Sequence, residues 1–222
     1  GASGPHRLTE LIGRQLPNAV CALSGPNLAR EVARALPSTT VAASADANAA
    51  EAVQRLFADR ALRVYTSADV VGVELGGALK NVVALAAGAA DGMNLGDNAK
   101  AALLTRGLAE MSRLGRALGA QPLTFAGLAG LGDLVATCAS PFSRNRRLGE
   151  QLAAGRTLEE AQREVGQIAE GVPTTRAAVQ LARQHGVDMP IAEQMQAVLF
   201  EGKEPRQAVL DLMQREPKAE LR

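Results

Sequence analysis

Lys80 is the residue whose surroundings point most directly to chemistry, because it is the single charged side chain in the run LGGALKNVVALAAGAA at residues 75–90. Helical spacing would place small or apolar residues on both sides of this run: Leu75, Leu79, Val82 and Ala86 on one, and Gly76, Ala84 and Ala87 on the side of Lys80. An ammonium group held among such residues loses hydration and requires a partner charge or a ligand. A lysine in this setting can exchange a proton with a carbonyl oxygen near neutral pH. The alternative is that Lys80 extends past its small neighbours into solvent.

The segment GLAGLGDLVATC at residues 127–138 supplies a second candidate, since Asp133 and Thr137 are four residues apart and share one face of a predicted helix. Its glycines have the order G-x-x-G-x-G and follow no predicted strand, so they do not match the dinucleotide-binding fingerprint. We expect them instead to let a helix or a ligand approach the backbone. If Asp133 faces Lys80, its carboxylate would fix the ammonium group; the alternative is that Asp133 only caps a helix.

The segment SRNRR at residues 143–147 could bind an anion, because it lies at the start of a predicted helix, where backbone N–H groups and the helix dipole favour negative charge. Arg144 and Asn145 could add a guanidinium fork and an amide donor, a combination that suits a phosphate. A solvated basic turn would explain the same residues.

Two loops could contact a cofactor. In SGP at residues 24–26, Gly25 occupies a strand-to-helix turn with Asn27 beside it, and open α/β sheets bind ligands at such carboxyl ends of strands. In the polar loop QIAEG at residues 167–171, Glu170 could accept hydrogen bonds from ribose hydroxyls. An ordinary turn and an ordinary surface loop also explain these two segments.

Other charged residues are predicted to have structural roles. Glu74 lies six positions before Lys80, on a different helix face, and is interpreted as a surface or helix-start charge. The Arg and Glu residues between 106 and 116 recur at helical spacing opposite Leu104, Leu108, Met111 and Leu118. We interpret them as a solvated helix face.

The elements that would position these residues fall into two parts. Strand-like runs at 19–23, 39–43 and 62–66 alternate with helical patterns at 26–36 and 46–59, after a first helix at 8–15. This alternation predicts a β-α-β-α-β unit in an α/β sheet, which is half of a Rossmann-like dinucleotide-binding domain. Beyond Ser67 only helices are predicted: near 69–90, 97–119, 124–140, 143–154, 157–165, 173–185, 190–201 and 205–215. We therefore expect an α/β remnant at residues 1–67 and an all-helical domain at 68–222, making the chain mostly helical.

Local signals support the helix limits. Thr157 and Glu160 fit a capping box at a helix start. Glycines at the expected C-terminal ends of helices and prolines at their expected first turns indicate further helix limits: Gly155, Gly186, Gly202, Pro190 and Pro205.

Composition limits the kinds of ligand and partner that the protein is expected to bind. A net charge of +1 and an aromatic content of 2% without Trp argue against nucleic acid and anionic membranes as partners, and favour a small polar metabolite. Cys21 and Cys138 are interpreted as reduced thiols of a cytoplasmic protein, and no run is long enough for stable membrane insertion. With only His6 and His185, a serine–histidine triad or a metal site is not expected. The opening GASGPHR lacks an initiator Met, so we expect a fragment of a longer protein.

Four segments in this order and spacing resemble the bacterial type of NAD(P)-dependent glycerol-3-phosphate dehydrogenase: VELGGALKNVVALAAGAADG, GDNAKAALLTRGLAEM, FAGLAGLGDLVATC and SRNRR. The resemblance extends from about Cys21 to Lys218. It implies reduction of dihydroxyacetone phosphate to sn-glycerol 3-phosphate by NADH or NADPH, for phospholipid synthesis. The sequence does not decide between NAD and NADP or fix the oligomeric state, and a homodimer is compatible with it.

The resemblance also implies roles for individual residues. Lys80 matches the group that exchanges a proton with the C2 oxygen of the substrate, and Asp133, with Asn81 and Thr137, matches the polar groups that orient this lysine and the substrate. The remaining matches are phosphate contacts Ser143, Arg144 and Asn145; and cofactor contacts Gly25, Asn27, Ala29, Arg144, Ile168 and Glu170.

Two departures from the family pattern affect what we expect. Asn27 stands where bacterial members usually have Ser or Thr, although an amide can still donate and accept hydrogen bonds. More seriously, the G-x-G-x-x-G turn and the substrate-binding lysine of the family would lie upstream of residue 1, so we expect this chain alone to be inactive or nearly so. The alternatives are a related dehydrogenase with another small anionic substrate, and a non-catalytic helical interaction module.

Overall fold

The computed structural model describes residues 4–217 and 219–220. Residues 1–3 of the opening segment and Lys218, the end of the stretch that resembles the dehydrogenase, lie outside the described residues. A small sheet with helices comes first and a long all-helical region follows, so the predicted fold class is confirmed.

The sheet contains the three predicted strands: β1 (Ala22–Ser24), β2 (Ser38–Ala43) and β3 (Leu62–Ser67). It follows a first helix, α1 (Leu8–Gln15), which has the predicted limits. The strand order is β1-β2-β3, with β1 and β2 antiparallel and β2 and β3 parallel. Because the two strand pairs run in different directions, the connections between their strands also differ. Parallel strands need a crossover, which α3 (Ala47–Phe57) supplies, whereas the antiparallel pair needs none, and the helix predicted at 26–36 is only the single turn α2 (Ala29–Val32).

The helical region begins with α4 (Val70–Gly92) and α5 (Gly96–Ala117). It continues with α6 (Pro122–Ala126), a π-helical turn (Leu128–Gly132), α7 (Asp133–Ala139), α8 (Arg144–Ala153), α9 (Leu158–Val165), α10 (Gly171–His185), α11 (Pro190–Phe200) and α12 (Pro205–Met213). The capping box at Thr157 and the left-handed glycine Gly186 are confirmed.

The single helix predicted at 124–140 is wrong, because the chain forms α6, the π-helical turn and α7 instead. Gly130 lies against the backbone of Phe125, and a Cβ at Gly130 would be 2.1 Å from the carbonyl oxygen of Phe125. A regular helix through this segment would therefore need a different backbone path, and only glycine fits the observed one.

Helix α4 forms the centre of the hydrophobic core. It packs against α5, α7, α8 and α10, and its buried partners include Met111, Leu114, Phe125, Leu134 and Leu148. Among the described helices, α4 is the one long and apolar enough to cross a membrane, but 67% of its most apolar stretch is buried inside the protein. Its apolar composition is therefore explained by its central position in the core.

The prediction that the charges between 106 and 116 form a solvated face is wrong for Glu110. This side chain is 3% exposed, and its carboxylate accepts hydrogen bonds from the backbone N–H groups of Ile191 at 2.8 Å and Ala192 at 3.3 Å. Glu110 thus binds the first turn of α11, where free N–H groups favour a negative charge.

We expect Glu110 to make stability depend on pH. Burial raises the pKa of Glu110 from its ordinary value of 4.5 to about 7, while the two backbone N–H groups act in the opposite direction. Between these pH values the folded state holds a proton that the unfolded state has lost, so the free energy of unfolding should fall as pH rises from 4.5 to about 7.

The measurement is a series of urea unfolding curves, followed by circular dichroism, across this pH range. The fall in midpoint should be smaller in Glu110→Gln, which cannot titrate, and unchanged in Glu159→Gln, a control at an exposed position. Equal pH slopes in wild type and Glu110→Gln would contradict the prediction.

Candidate active site

A cleft of about 1200 Å³ lies where the sheet part meets the helical part. It is lined by nearly all the predicted site residues: Gly25, Asn27, Ala29, Lys80, Asn81, Asp133, Thr137, Ser143, Arg144, Asn145 and Glu170. Ile168 is the exception, since it is 77% exposed and lies outside the cleft lining. The structure thus brings together the segments that sequence analysis singled out separately.

Lys80 and Asp133 form a salt bridge inside this cleft, with the Lys80 Nζ donating to Asp133 Oδ2. The side chains are 18% and 3% exposed, so Lys80 does not extend into bulk solvent. Asp133 does not cap its helix; its carboxylate also accepts from Thr137 Oγ1 at 3.3 Å and Ser24 Oγ at 3.5 Å. Burial raises the pKa of the Asp133 carboxyl, and the Lys80 ammonium group acts in the opposite direction.

Close backbone approach positions this pair. A Cβ at Gly76 would be 2.4 Å from the carbonyl oxygen of Ala129, and a Cβ at Gly77 would be 2.4 Å from Ser24 Oγ. Helix α4 therefore contacts both the π-helical turn and β1 at glycines, one turn before Lys80. Because α7 begins at Asp133 directly after the π-helical turn, this contact sets the separation of the two charged groups.

Two hydrogen-bonded amide side chains connect Asn81, the residue after Lys80, with the start of α8. Asn145 Nδ2 donates to Asn81 Oδ1 at 2.9 Å, and Asn145 Oδ1 accepts from the backbone N–H of Gly171 at 2.9 Å. Ser143 caps α8 and is buried, whereas Arg144 is exposed and forms no ion pair with the residues that the structure describes. Asn145 is thus held by the protein itself, and Arg144 is the group available to an anion.

The loop after β1 forms the opposite wall of the cleft. Gly25 has φ +152°, and a Cβ there would be 2.9 Å from the Cα of Thr40, so the tight packing of this turn requires glycine. Asn27 donates from Nδ2 to Thr40 Oγ1 at 2.9 Å, which gives a structural role to the amide that departs from the family pattern. Glu170 lies exposed on the helical side.

The interpretation of Glu74 as a surface or helix-start charge is wrong, because Glu74 lies beyond the first turn of α4 and is largely shielded from solvent. Its side chain is 13% exposed and accepts from Arg7 Nη1 at 2.8 Å and from the N–H and hydroxyl of Thr9 at 2.9 and 2.6 Å. Glu74 therefore fastens the start of α1 to α4 along the cleft wall. No local signal could reveal this, since the partners lie 67 and 65 positions away.

Asp69 is another buried charge whose contacts sequence analysis did not predict. It caps α4 by accepting from the N–H of Gly72 at 2.9 Å, and its other oxygen accepts from the N–H of Gln121 at 2.9 Å and the hydroxyl of Thr124 at 2.6 Å. An Asp directly before an apolar helical run is a recognisable N-cap signal. The link to α6 has no comparable signal in the sequence.

Both thiols are free, as predicted: Cys138 is buried and Cys21 is partly buried on the cleft wall. Burial raises the pKa of Cys138 to about 12 and raises that of Cys21 as well. Neither thiol is therefore activated as a nucleophile.

Comparison with known proteins identifies relatives of this chain. The family described as NAD-dependent glycerol-3-phosphate dehydrogenase C-terminus matches residues 69–210, and its N-terminus counterpart matches residues 2–50. A glycerol-3-phosphate dehydrogenase [NAD(P)+] of Geobacter metallireducens is 59% identical over 217 residues, which cover 96% of this chain and 65% of that protein. One from Thermoanaerobacter sp. is 54% identical, over 97% of this chain and 65% of its own length.

A solved structure supports the same assignment. The 2.1 Å crystal structure of glycerol-3-phosphate dehydrogenase from Coxiella burnetii has a TM-score of 0.90 and 42% identity, and covers 93% of this chain and 64% of that chain. This chain therefore spans less than two thirds of the length of these relatives. With its family match extending over residues 69–210, it belongs to the NAD-dependent glycerol-3-phosphate dehydrogenase family.

Proposed function

We propose that this chain is the substrate-binding and catalytic part of an oxidoreductase that interconverts dihydroxyacetone phosphate and sn-glycerol 3-phosphate with NADH or NADPH. The main support is one observation: a partly buried lysine paired with a buried aspartate lies in the same cleft as an unpaired arginine at a helix start. This arrangement offers a proton donor at one point and an anion-binding group at another. Supply of glycerophospholipid synthesis in the cytoplasm, and a division of the chain near residue 67, are parts of the same proposal.

Lys80 is proposed to act on the C2 oxygen of the substrate. The cofactor, when bound, supplies the hydride that reduces C2. An ammonium group has three N–H donors, and Asp133 accepts from one of them, which leaves the others for the substrate. Lys80 then donates a proton to the C2 oxygen as negative charge develops there, and Asp133 fixes the direction of that donation.

The two walls of the cleft are suited to bind one end of the cofactor between them. The turn at Gly25 and the exposed Glu170 are the residues proposed to contact the nicotinamide half from opposite sides. Pockets for small molecules usually measure about 300–1,000 Å³. A cleft of about 1200 Å³ can therefore hold the substrate together with part of a cofactor.

The proposed function is tested with a completed enzyme, in which this chain follows the upstream segment of the Geobacter metallireducens relative. That segment is expected to carry the G-x-G-x-x-G turn, and 59% identity favours a compatible interface. We expect oxidation of NADH or NADPH by the completed enzyme with dihydroxyacetone phosphate, and little or none by the 222-residue chain alone. A panel of other small phosphates and carboxylates tests substrate identity. A folded chimera without activity on any of them would contradict the proposal.

Arg144→Ala in the completed enzyme is expected to weaken substrate binding more than turnover. A hydrogen-bonded charge pair with a phosphate contributes enough that the Michaelis constant should rise roughly 10- to 100-fold. Arg163→Ala is the matched control, because Arg163 is exposed on α9 and outside the cleft. Steady-state kinetics give both constants, and an unchanged Michaelis constant would count against this role for Arg144.

A further inference from the structure

A contact between an arginine and an aromatic ring joins the two walls of the cleft. Arg30 lies on α2, and its guanidinium carbon is 4.9 Å from the centre of the Phe142 ring. Phe142 directly precedes Ser143, the cap of α8, and both Arg30 and Phe142 line the cleft. The contact therefore connects the sheet side of the cleft with the start of α8.

This geometry leaves the hydrogen-bonding edge of Arg30 available. A cation–π contact attracts the guanidinium through its charge, so the five N–H donors of Arg30 are not taken up by a conventional acceptor. In the part of the chain that the structure describes, no carboxylate forms an ion pair with Arg30, and its guanidinium lies over the ring of Phe142. Arg30 thus retains the donors that bind phosphate in two-point fashion.

The charges along the cleft show where an anion would be bound. Arg7 is neutralised by Glu10 and Glu74, and Lys80 is paired with Asp133. Among the cleft-lining arginines and lysines, those without an ion pair to a described residue are Arg30, Arg144 and Arg147. The lining carboxylates outside these pairs are Glu31 and Glu170.

The unpaired arginines come from the two elements that the ring of Phe142 joins. Arg144 and Arg147 lie on α8, and Arg30 reaches the same end from α2. Positive charge that no described carboxylate pairs with is therefore concentrated next to the residues already proposed to bind the substrate phosphate.

We propose that Arg30 is a further binding residue for the phosphate end of the substrate, supplied from the sheet side of the cleft and held in place by its cation–π contact with Phe142. The inference rests on the proposed function, since it concerns the same ligand. Arg30 takes no part in proton transfer; it adds a second guanidinium, from α2, to the residues of α8 that anchor the substrate.

The test is calorimetric titration of the completed enzyme, and of its variants, with sn-glycerol 3-phosphate. We expect the dissociation constant to rise about tenfold in Arg30→Ala, which corresponds to loss of one charge-assisted hydrogen bond at an exposed site. Arg30→Lys should recover part of the affinity, and Phe142→Leu should lose part of it. Arg34→Ala is the matched control, because Arg34 follows α2, is exposed and lies outside the cleft. Its affinity should equal that of wild type.

Several outcomes would overturn the inference, and they are distinguishable. If wild type binds and Arg30→Ala binds equally well, Arg30 has no role in phosphate binding while the proposed function stands. If Arg30→Ala and Phe142→Leu lower the urea midpoint but not the affinity, the contact is only a brace between the two walls. If the completed wild-type enzyme does not bind sn-glycerol 3-phosphate at all, the proposed function fails and this inference fails with it. Titration with inorganic phosphate should give the same ratio between Arg30→Ala and wild type, and a ratio of one would contradict a contact with the phosphate group.

Discussion

Replacing Lys80 with alanine is expected to lower the turnover of the completed enzyme by about 10²–10⁴-fold, because the developing negative charge on the C2 oxygen then has no proton donor. The Michaelis constant for dihydroxyacetone phosphate should change far less, since the phosphate end is held by other residues. Steady-state rates of NADH oxidation give both values.

Controls must separate catalysis from folding. Lys80→Ala leaves the carboxylate of Asp133 buried without its cation, and breaking one side of a buried ion pair can destabilise a protein by several kcal/mol, about 3–5. The double variant Lys80→Ala, Asp133→Asn removes both charges and should restore the unfolding midpoint while remaining inactive. Lys100→Ala is the matched lysine control, since Lys100 pairs with Asp91 away from the cleft and should leave turnover nearly intact. Unaltered turnover in Lys80→Ala would refute its role.

The contact between Lys80 and Asp133 could be predicted because the sequence around each of the two residues is unusual. A single ammonium group among Gly, Ala, Val and Leu requires a counter-charge, and Asp133 lies in a glycine-rich segment that permits close approach. Helix limits were predictable for a similar reason, since Thr157 and Pro190 act on the first turn of their own helices.

Other parts of the site could not be predicted, because the interactions that decide them join distant segments. Glu74 and Glu110 occupy ordinary positions in helical patterns, and only tertiary packing shows that each binds another element. The contact between Arg30 and the ring of Phe142 likewise depends on how the sheet meets α8. Helical spacing assigns a residue to a face, but it does not reveal what packs on that face.

The second substitution with a large expected effect lies where α4 crosses α8. A Cβ at Gly88 would be 1.8 Å from the carbonyl oxygen of Arg146, and a Cβ at Gly149 would be 2.0 Å from the carbonyl oxygen of Leu85. The two helices therefore touch backbone to backbone at paired glycines. Because backbone atoms cannot rotate away as a side chain can, a methyl group at either position must force the helices apart.

Gly88→Ala is expected to destabilise the chain by about 2 kcal/mol or more. Overpacking usually costs about 1–3 kcal/mol, and a clash with main-chain atoms belongs at the upper end of that range. The higher helix propensity of alanine offsets only about 1 kcal/mol of this cost. Since α8 carries Ser143 and Arg144, the displaced helix should also weaken binding of sn-glycerol 3-phosphate.

Gly13→Ala is the matched control for this substitution. Gly13 lies within α1, and a Cβ there would have no neighbour within 4 Å, so the variant should gain helix propensity without a clash. Urea unfolding followed by circular dichroism should therefore give a lower midpoint for Gly88→Ala and an equal or higher one for Gly13→Ala. If Gly88→Ala unfolded at the wild-type midpoint, α4 and α8 would not be in backbone contact, and the placement of the phosphate-binding residues by this crossing would be wrong.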